Sequence, residues 1–513
     1  MMQTVRDSMP GGWIRGAVFT ALAFAVFSAT SADVVRTVFR RPFGRVASMD
    51  PIRASDVLAA EAVALVYEPL LEVDYVARPY RLKPCVCELP TVSEDGLTYD
   101  FRIVEGLKFR NGAEVAAADV KRCLGRLADK ENASPGMWTM EAVRSVDVVD
   151  VRTVRIILKK PLHIFNWLMA MPYAGVVAED GSGTGAYWLK SWRKNHEMVF
   201  RRNESYREPV AIDEVRLPVI DDVSTQWLMF LGGELDFLGS VSRDNWDAVV
   251  GPDGRLLPQL GEKGMTLLSA TSLSVFYVGF NMNDPVVGRN VRLRQALNCA
   301  FDFPTWKRFL NNRILPCDGP LPPGIEGRLE TPFEYSYNVE KANRLLAEAG
   351  YPGGIDPKTG RRLHLEISVG RATQDAREMV ELMASFFDRV GIELTARYMT
   401  WDAFLTAINE GRAQMFNMGW IGDYPDPENF LQIFHSKNVS PGANHSMYVN
   451  PEFDRAFDAM DWKRAQEIVR EDCPWIFLHS PKKYSLIWNR VENYIPTDFS
   501  YGIEKHLKIN PGK

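Results

Sequence analysis

Between Asn338 and Trp420 the chain alternates between two hydrophobic periods, and that alternation restricts its fold more than any other feature. Asn338 stands as a helix cap ahead of Ala342, Leu345, Leu346 and Ala349, which share a helical face that Gly350 stops. Leu363, Leu365, Ile367 and Val369 then alternate as a strand. Ala376, Met379, Val380, Met383, Phe386, Phe387 and Val390 return to helical spacing until Gly391. Ile392, Leu394, Ala396 and Tyr398 alternate again. Thr400 caps a short helix through Phe404, Leu405 and Ile408, ended by Gly411, and Ala413 to Trp420 reads as a further strand. Strand, helix, strand, helix, strand is the pattern of a parallel sheet in an α/β protein. Such sheets bind ligands beyond the carboxyl ends of their strands. Arg371, just after Val369, and Asp423, just after Trp420, fall there.

The segment from Met418 to Phe430 runs from that last strand into a turn with several carboxylates, prolines and aromatics. Pro425 and Pro427 bias the residues before them away from helix, so an extended, stiff loop is expected. A strand feeding a rigid loop can present side chains to a ligand. Read from spacing alone, Asp423 either meets a ligand or fixes a turn, since Asp before an X-Pro pair commonly does the latter. Trp420 fits core or pocket wall. Arg371 fits a ligand contact or a solvated loop charge, and Asp426 reads as structural.

The length of 513 residues implies two or three domains, with a boundary placed near residue 275. With 46% apolar and 24% charged residues and a net charge of -5, the composition is that of a globular protein lacking the basic face of a nucleic-acid binder. Residues 1–32 read as an export signal: Arg6 and Arg15, an apolar run from Ala17 to Ala29, and a small-residue site ending at Ala32. That run is too short to anchor in a bilayer, and no Cys follows to take a lipid.

Six cysteines in an exported chain leave 15 possible pairings open. Cys299 and Cys473 sit in helical apolar patterns and read as buried hydrophobes, whereas Cys123 and Cys317 are open candidates for bridging. No His lies at ligand spacing near a Cys, so a metal site is the weaker reading, and no metal ligand or cofactor is assigned. Gly181–Gly185 mimics a phosphate loop without its Lys, and reads as a turn. No Gly-x-Ser-x-Gly elbow is present, so no catalytic residue is assigned.

Upstream, Tyr99–Val104 reads as a strand, Ala116–Leu127 as a helix, and Ser224 as the start of another helix. Val146–Leu158 and Ala186–Arg202 read as hairpins. Ser269–Asn283 reads as one long strand followed by a buried helical face, and Trp475–Tyr494 as a β-like return to the first domain.

Several segments, in order along the chain, together resemble family 5 of the bacterial extracellular solute-binding proteins. They include Ser93–Tyr99 with Gly106–Gly112, Gly183–Tyr187 with Arg201–Asn203, and Gly279–Asp284 with Val291–Leu297. Tyr337–Ala342, Gly419–Pro427 and Ala465–Trp475 complete the set. The resemblance implies a type II periplasmic-binding-protein-like α/β fold, with two lobes joined by β-strand hinges. Its expected divisions are lobe I at 33–275 and 486–513, with an extra subdomain at about 55–170, and lobe II at 276–485.

The resemblance also implies a non-enzymatic, monomeric periplasmic receptor that delivers di- to oligopeptides to an ABC-importer permease. Asp423 would hold the peptide ammonium, and Arg371, in a loop that aligns less cleanly, its carboxylate. The Met418–Gly419–Trp420 edge would pair with the peptide backbone, and Tyr424 would lie beside it. Gly183–Tyr187 lacks the family's usual Pro, and the chain is short after Tyr173 and after Phe457. These departures bear on ligand class, leaving nickel complexes, haem, opines or oligosaccharides as alternatives within the fold and an exported hydrolase outside it.

Overall fold

A computed structural model describes residues 36–510 except 55, 242–244 and 252. The export signal expected at 1–32 lies outside the described residues. From Thr37 onward the chain forms one compact unit.

The alternating region folds as its periods require. Strand His364–Val369 lies between Glu393–Tyr398 and Met415–Ile421 and runs parallel to both. Between the strands run helices Gln374–Asp388 and Trp401–Asn409. Thr373 caps the first by accepting from the Ala376 amide, and Val380, Met383, Phe386 and Phe387 bury one face. Gly391, at φ 80°, makes the turn into the next strand in a conformation that costs glycine little.

Met415–Ile421 also pairs antiparallel along its whole length with Ser274–Phe280, which pairs in turn with Trp475–Trp488. This last strand is 14 residues long and serves three cores, its Ile487 packing in one of them with Phe39, Phe200 and Val215. Its first part, Trp475–Leu478, packs in a large core of residues from the second half of the chain. Leu486, near its other end, belongs to a separate core with Trp227, Phe230 and Met265. Strand Met265–Thr271 runs alongside this second part.

The long strand expected at 269–283 is therefore two strands, separated at Ser272–Leu273. There the Leu273 amide leaves the sheet ladder and donates to Asp498 at 3.0 Å. The helix expected from Ser224 spans Val223–Leu231, because Asp222 is the cap, accepting from the Thr225 amide. Both hairpins form, as strands Val143–Val148 with Thr153–Leu158 and Tyr187–Arg193 with Glu197–Arg202.

A further core lies between Ile52 and Ala178, where the antiparallel sheet containing Thr98–Arg102 packs on helix Ala117–Ala128. One residue from far along the chain, Tyr424, is part of it. Gly183 and Gly185 press on the Val66 carbonyl, where a Cβ would lie 1.9 and 2.6 Å from its oxygen. They lead into strand Tyr187–Arg193 rather than a helix. All six cysteines are buried free thiols, and burial raises the Cys87 and Cys317 thiols to about 12.

Candidate ligand-binding site

The three parallel strands end side by side, and Arg371, Trp401 and Asp423 follow their carboxyl ends. The ladder to His364–Val369 covers only Met415, Phe416 and Asn417. Along Met418–Ile421 the opposite edge is paired with Ser274–Tyr277, while no strand among the described residues pairs on this side. An unpaired strand edge beside a cleft is a template for an extended ligand. Gly419 is required within it, since a Cβ there would lie 2.8 Å from the Phe276 ring opposite.

Asn429, which is fully buried, organises the turn after this edge. Its Oδ1 accepts from the Trp420 indole at 3.0 Å and from the Asp423 amide at 3.2 Å, and its Nδ2 donates to Asp423 Oδ2 at 3.4 Å. The loop does not stay extended through Pro427. That proline opens a short helix, Pro427–Leu431, where its missing N–H costs nothing, and Asp426 caps it through the Glu428 amide. This helix returns Asn429 beneath Asp423. The sequence offered no signal for Asn429, whose role exists only once the helix has folded back.

Asp423 is exposed at the surface, yet enough protein surrounds it for desolvation to act on its carboxyl. Desolvation raises its pKa, against the lowering hydrogen bond from Asn429. The Asp423 charge also bears on Tyr173 and Tyr501, whose phenols are pushed up chiefly by burial.

Tyr501 also lines a cavity of about 510 Å³ with Arg41, Glu61, Lys483, Asp498 and Glu504. That volume suits a small-ligand site. Here Arg41 bridges Glu61 and Glu504, both at 2.8 Å, and Lys483 pairs with Asp498. Chain topology assembles this wall from both ends of the sequence, and no local motif marked it.

The remaining expected residues divide. Met418 and Trp420 are partly buried and pack on the large core. Arg371 is exposed on the loop after Val369, with Nη2 3.5 Å from Met379 Sδ. Exposed Trp401 stands nearby, its ring crowding Gly370, and was not singled out from sequence. Tyr424 turns away from the open edge. It is 3% exposed within the Ile52–Ala178 core, and its hydroxyl donates to Glu428 at 2.5 Å. Beside it His163 lies 3.3 Å from Asp426. Burial opposes the His163 charge, but Asp426 and Glu428 outweigh it and raise the pKa. No group of three or more His, Cys, Asp or Glu among the described residues is arranged to hold a metal.

Known proteins share this architecture. HbpA2 of Haemophilus parasuis superposes with a TM-score of 0.81 at 22% identity, covering 92% of this chain and 100% of its own. DppA of Helicobacter pylori, in complex with the peptide STSA, superposes at 0.72 and 22%, covering 92% and 98%. In sequence, heme-binding protein A of Haemophilus influenzae is 25% identical over 82% of this chain and 83% of its own. Glutathione-binding protein GsiB of Escherichia coli K12 is 27% identical over 84% and 86%.

A mixed α/β sheet presenting an open strand edge and a carboxylate beside a cavity, on this fold, defines a solute-binding protein of the type II periplasmic-binding class. More particularly, the chain belongs to the bacterial extracellular solute-binding proteins, family 5, whose middle-region model matches residues 81–441. It is a binding protein of ABC importers, not an enzyme. No helix among the described residues is long and apolar enough to cross a membrane.

Proposed function

We propose that this receptor binds short peptides by extending its sheet, and that its lobes, divided near 275 and 485, close over them. The observation that carries this reading is the unpaired edge at Met418–Ile421, with Arg371 near one end and Asp423 beyond the other. A peptide there would take the place that strand His364–Val369 vacates after Val369. With its ammonium at Asp423 and its carboxylate toward Arg371, it would run antiparallel to Met415–Ile421. Three residue steps at roughly 3.3 Å span about 10 Å, which suits di- to tetrapeptides.

Charge chemistry favours this polarity. A carboxylate with raised pKa in a crowded wall is relieved by an ammonium, and a guanidinium can grip a terminal carboxylate in bidentate fashion. Backbone pairing tolerates many side chains, so the end charges would select ligand length. Glutathione binding by GsiB and the peptide complex of DppA support the class. The name of heme-binding protein A points to haem as the competing reading. The loaded receptor would dock on a permease as a monomer, after export directed by residues 1–32.

Native mass spectrometry of protein purified from an exported compartment tests this. Adducts at peptide masses, exchangeable for free but not N-acetylated peptides and lost in Asp423→Asn, are expected. A haem adduct, or equal binding of both peptide forms by both proteins, rules the reading out.

A further inference from the structure

We infer that the cavity beside Asp423 takes a cationic side chain from the amino-terminal part of the ligand, so that the receptor selects basic peptides. The inference rests on the peptide reading above and adds a charge class to it.

Within the cavity lining, Glu61, Asp498 and Glu504 outnumber Arg41 and Lys483. Both cations are already committed, Arg41 to Glu61 and Glu504 and Lys483 to Asp498, which leaves the lining no spare positive charge for a ligand carboxylate. Asp221, also in the lining, is paired with Arg45 at the exposed rim. A second observation points the same way. Glu504 is 1% exposed, and its Oε2 finds no hydrogen-bond partner among the described residues. A buried carboxylate oxygen left this way is costly unless a donor or cation comes within reach. Phe43, Phe237 and Tyr494 supply apolar and π surface, against which the stem and head of a Lys or Arg side chain pack well.

Position along the ligand follows from Leu273, whose amide donates to the cavity-lining Asp498 at 3.0 Å and whose carbonyl accepts from the amide of Gly422, the residue before Asp423, at 3.0 Å. The cavity therefore lies at the Asp423 end of the open edge, where the ligand's amino terminus is placed. An acidic side chain there would face a lining with one carboxylate more than its cations, in a wall of reduced solvation where like charges repel more strongly than in water.

Titration calorimetry of the full chain, freed of retained ligand, decides the matter with Lys-Ala-Ala, Ala-Ala-Ala, Glu-Ala-Ala and Ala-Ala-Lys. Lys-Ala-Ala is expected to bind at least about tenfold tighter than Glu-Ala-Ala, with Ala-Ala-Lys gaining less. Glu61→Gln and Asp498→Asn should each narrow that gap, the latter by freeing Lys483 to meet acidic peptides, with thermal midpoints verifying that both fold. Equal affinities for Lys-Ala-Ala and Glu-Ala-Ala, or an unchanged gap in both variants, overturn the charge preference and leave the peptide reading standing. If no peptide binds, the peptide reading itself fails and this inference with it.

Discussion

Asp423 is placed where its charge is unfavourable to the empty protein, and on the proposed reading a ligand ammonium would relieve it. Crowding raises its pKa above the ordinary carboxylate value, so its neutral form is the one the fold prefers. The sign follows. A raised carboxyl contributes stability that is fully present below the unfolded pKa and lost as pH rises through the folded pKa. At neutral pH the wild-type carboxylate is therefore a burden, and Asp423→Asn should raise the thermal midpoint by about 1 °C while abolishing the ammonium recognition proposed for it. The difference should vanish in acid, below the ordinary carboxylate pKa, where both side chains are neutral. Thermal unfolding at neutral and acid pH reads this directly, and a variant less stable than wild type at neutral pH would assign Asp423 to the turn instead. Asp423 and Trp420 stood out in the sequence because strand and turn chemistry are local. Asn429, which aligns both, did not, because its contacts depend on a helix folding back.

At the scale of elements, the strand that carries the open edge is tuned by its partner across the sheet. Phe276 lies opposite Gly419 and stacks on His479 with ring centroids 5.2 Å apart. His479 is held neutral there, burial lowering its pKa to about 3. A methyl group at Gly419 would meet Phe276 ring carbons at 2.8 and 2.9 Å, and the ring has the His479 face behind it. Gly419→Ala is therefore expected to cost about 1–3 kcal/mol. Phe276→Leu in the same chain should restore part of the loss, and urea unfolding midpoints measure both. An unshifted midpoint for the single variant would mean that the ring moves aside freely. The parallel strands and their helices were legible because each repeats its own period between a cap and a glycine. The antiparallel joining of Ser274–Phe280 to Met415–Ile421 was not, since nothing local encodes which distant strand completes a sheet. The break at Ser272–Leu273 was hidden for the same reason, its cause being Asp498 far along the chain.

For the whole molecule, the question is what holds the Asp423 loop against the Ile52–Ala178 core, since the sheet of Met415–Ile421 and the sheet of Thr98–Arg102 share no strand among the described residues. Tyr424 supplies much of the answer. It is buried in a core that otherwise belongs to residues far upstream, its hydroxyl bonds Glu428, and the His163–Asp426 contact flanks it. Because the His163 pKa is raised, that contact contributes fully below the ordinary histidine pKa and is lost as pH rises through the raised value. The aromatic ring is the larger effect. Truncating a buried aromatic costs about 3–5 kcal/mol, and here the loss falls on docking between the loop and that core as well as on folding. Tyr424→Ala should therefore shift the unliganded protein toward a more open form, with a larger radius of gyration in solution scattering. Peptide affinity should fall roughly tenfold for each ~1.4 kcal/mol of docking lost, since binding must then supply that difference. Tyr424→Phe keeps the ring and should scatter like wild type. If Tyr424→Ala and wild type scatter identically without ligand, and the variant also keeps its affinity, then Tyr424 is a passive core residue and does not hold the loop to that core.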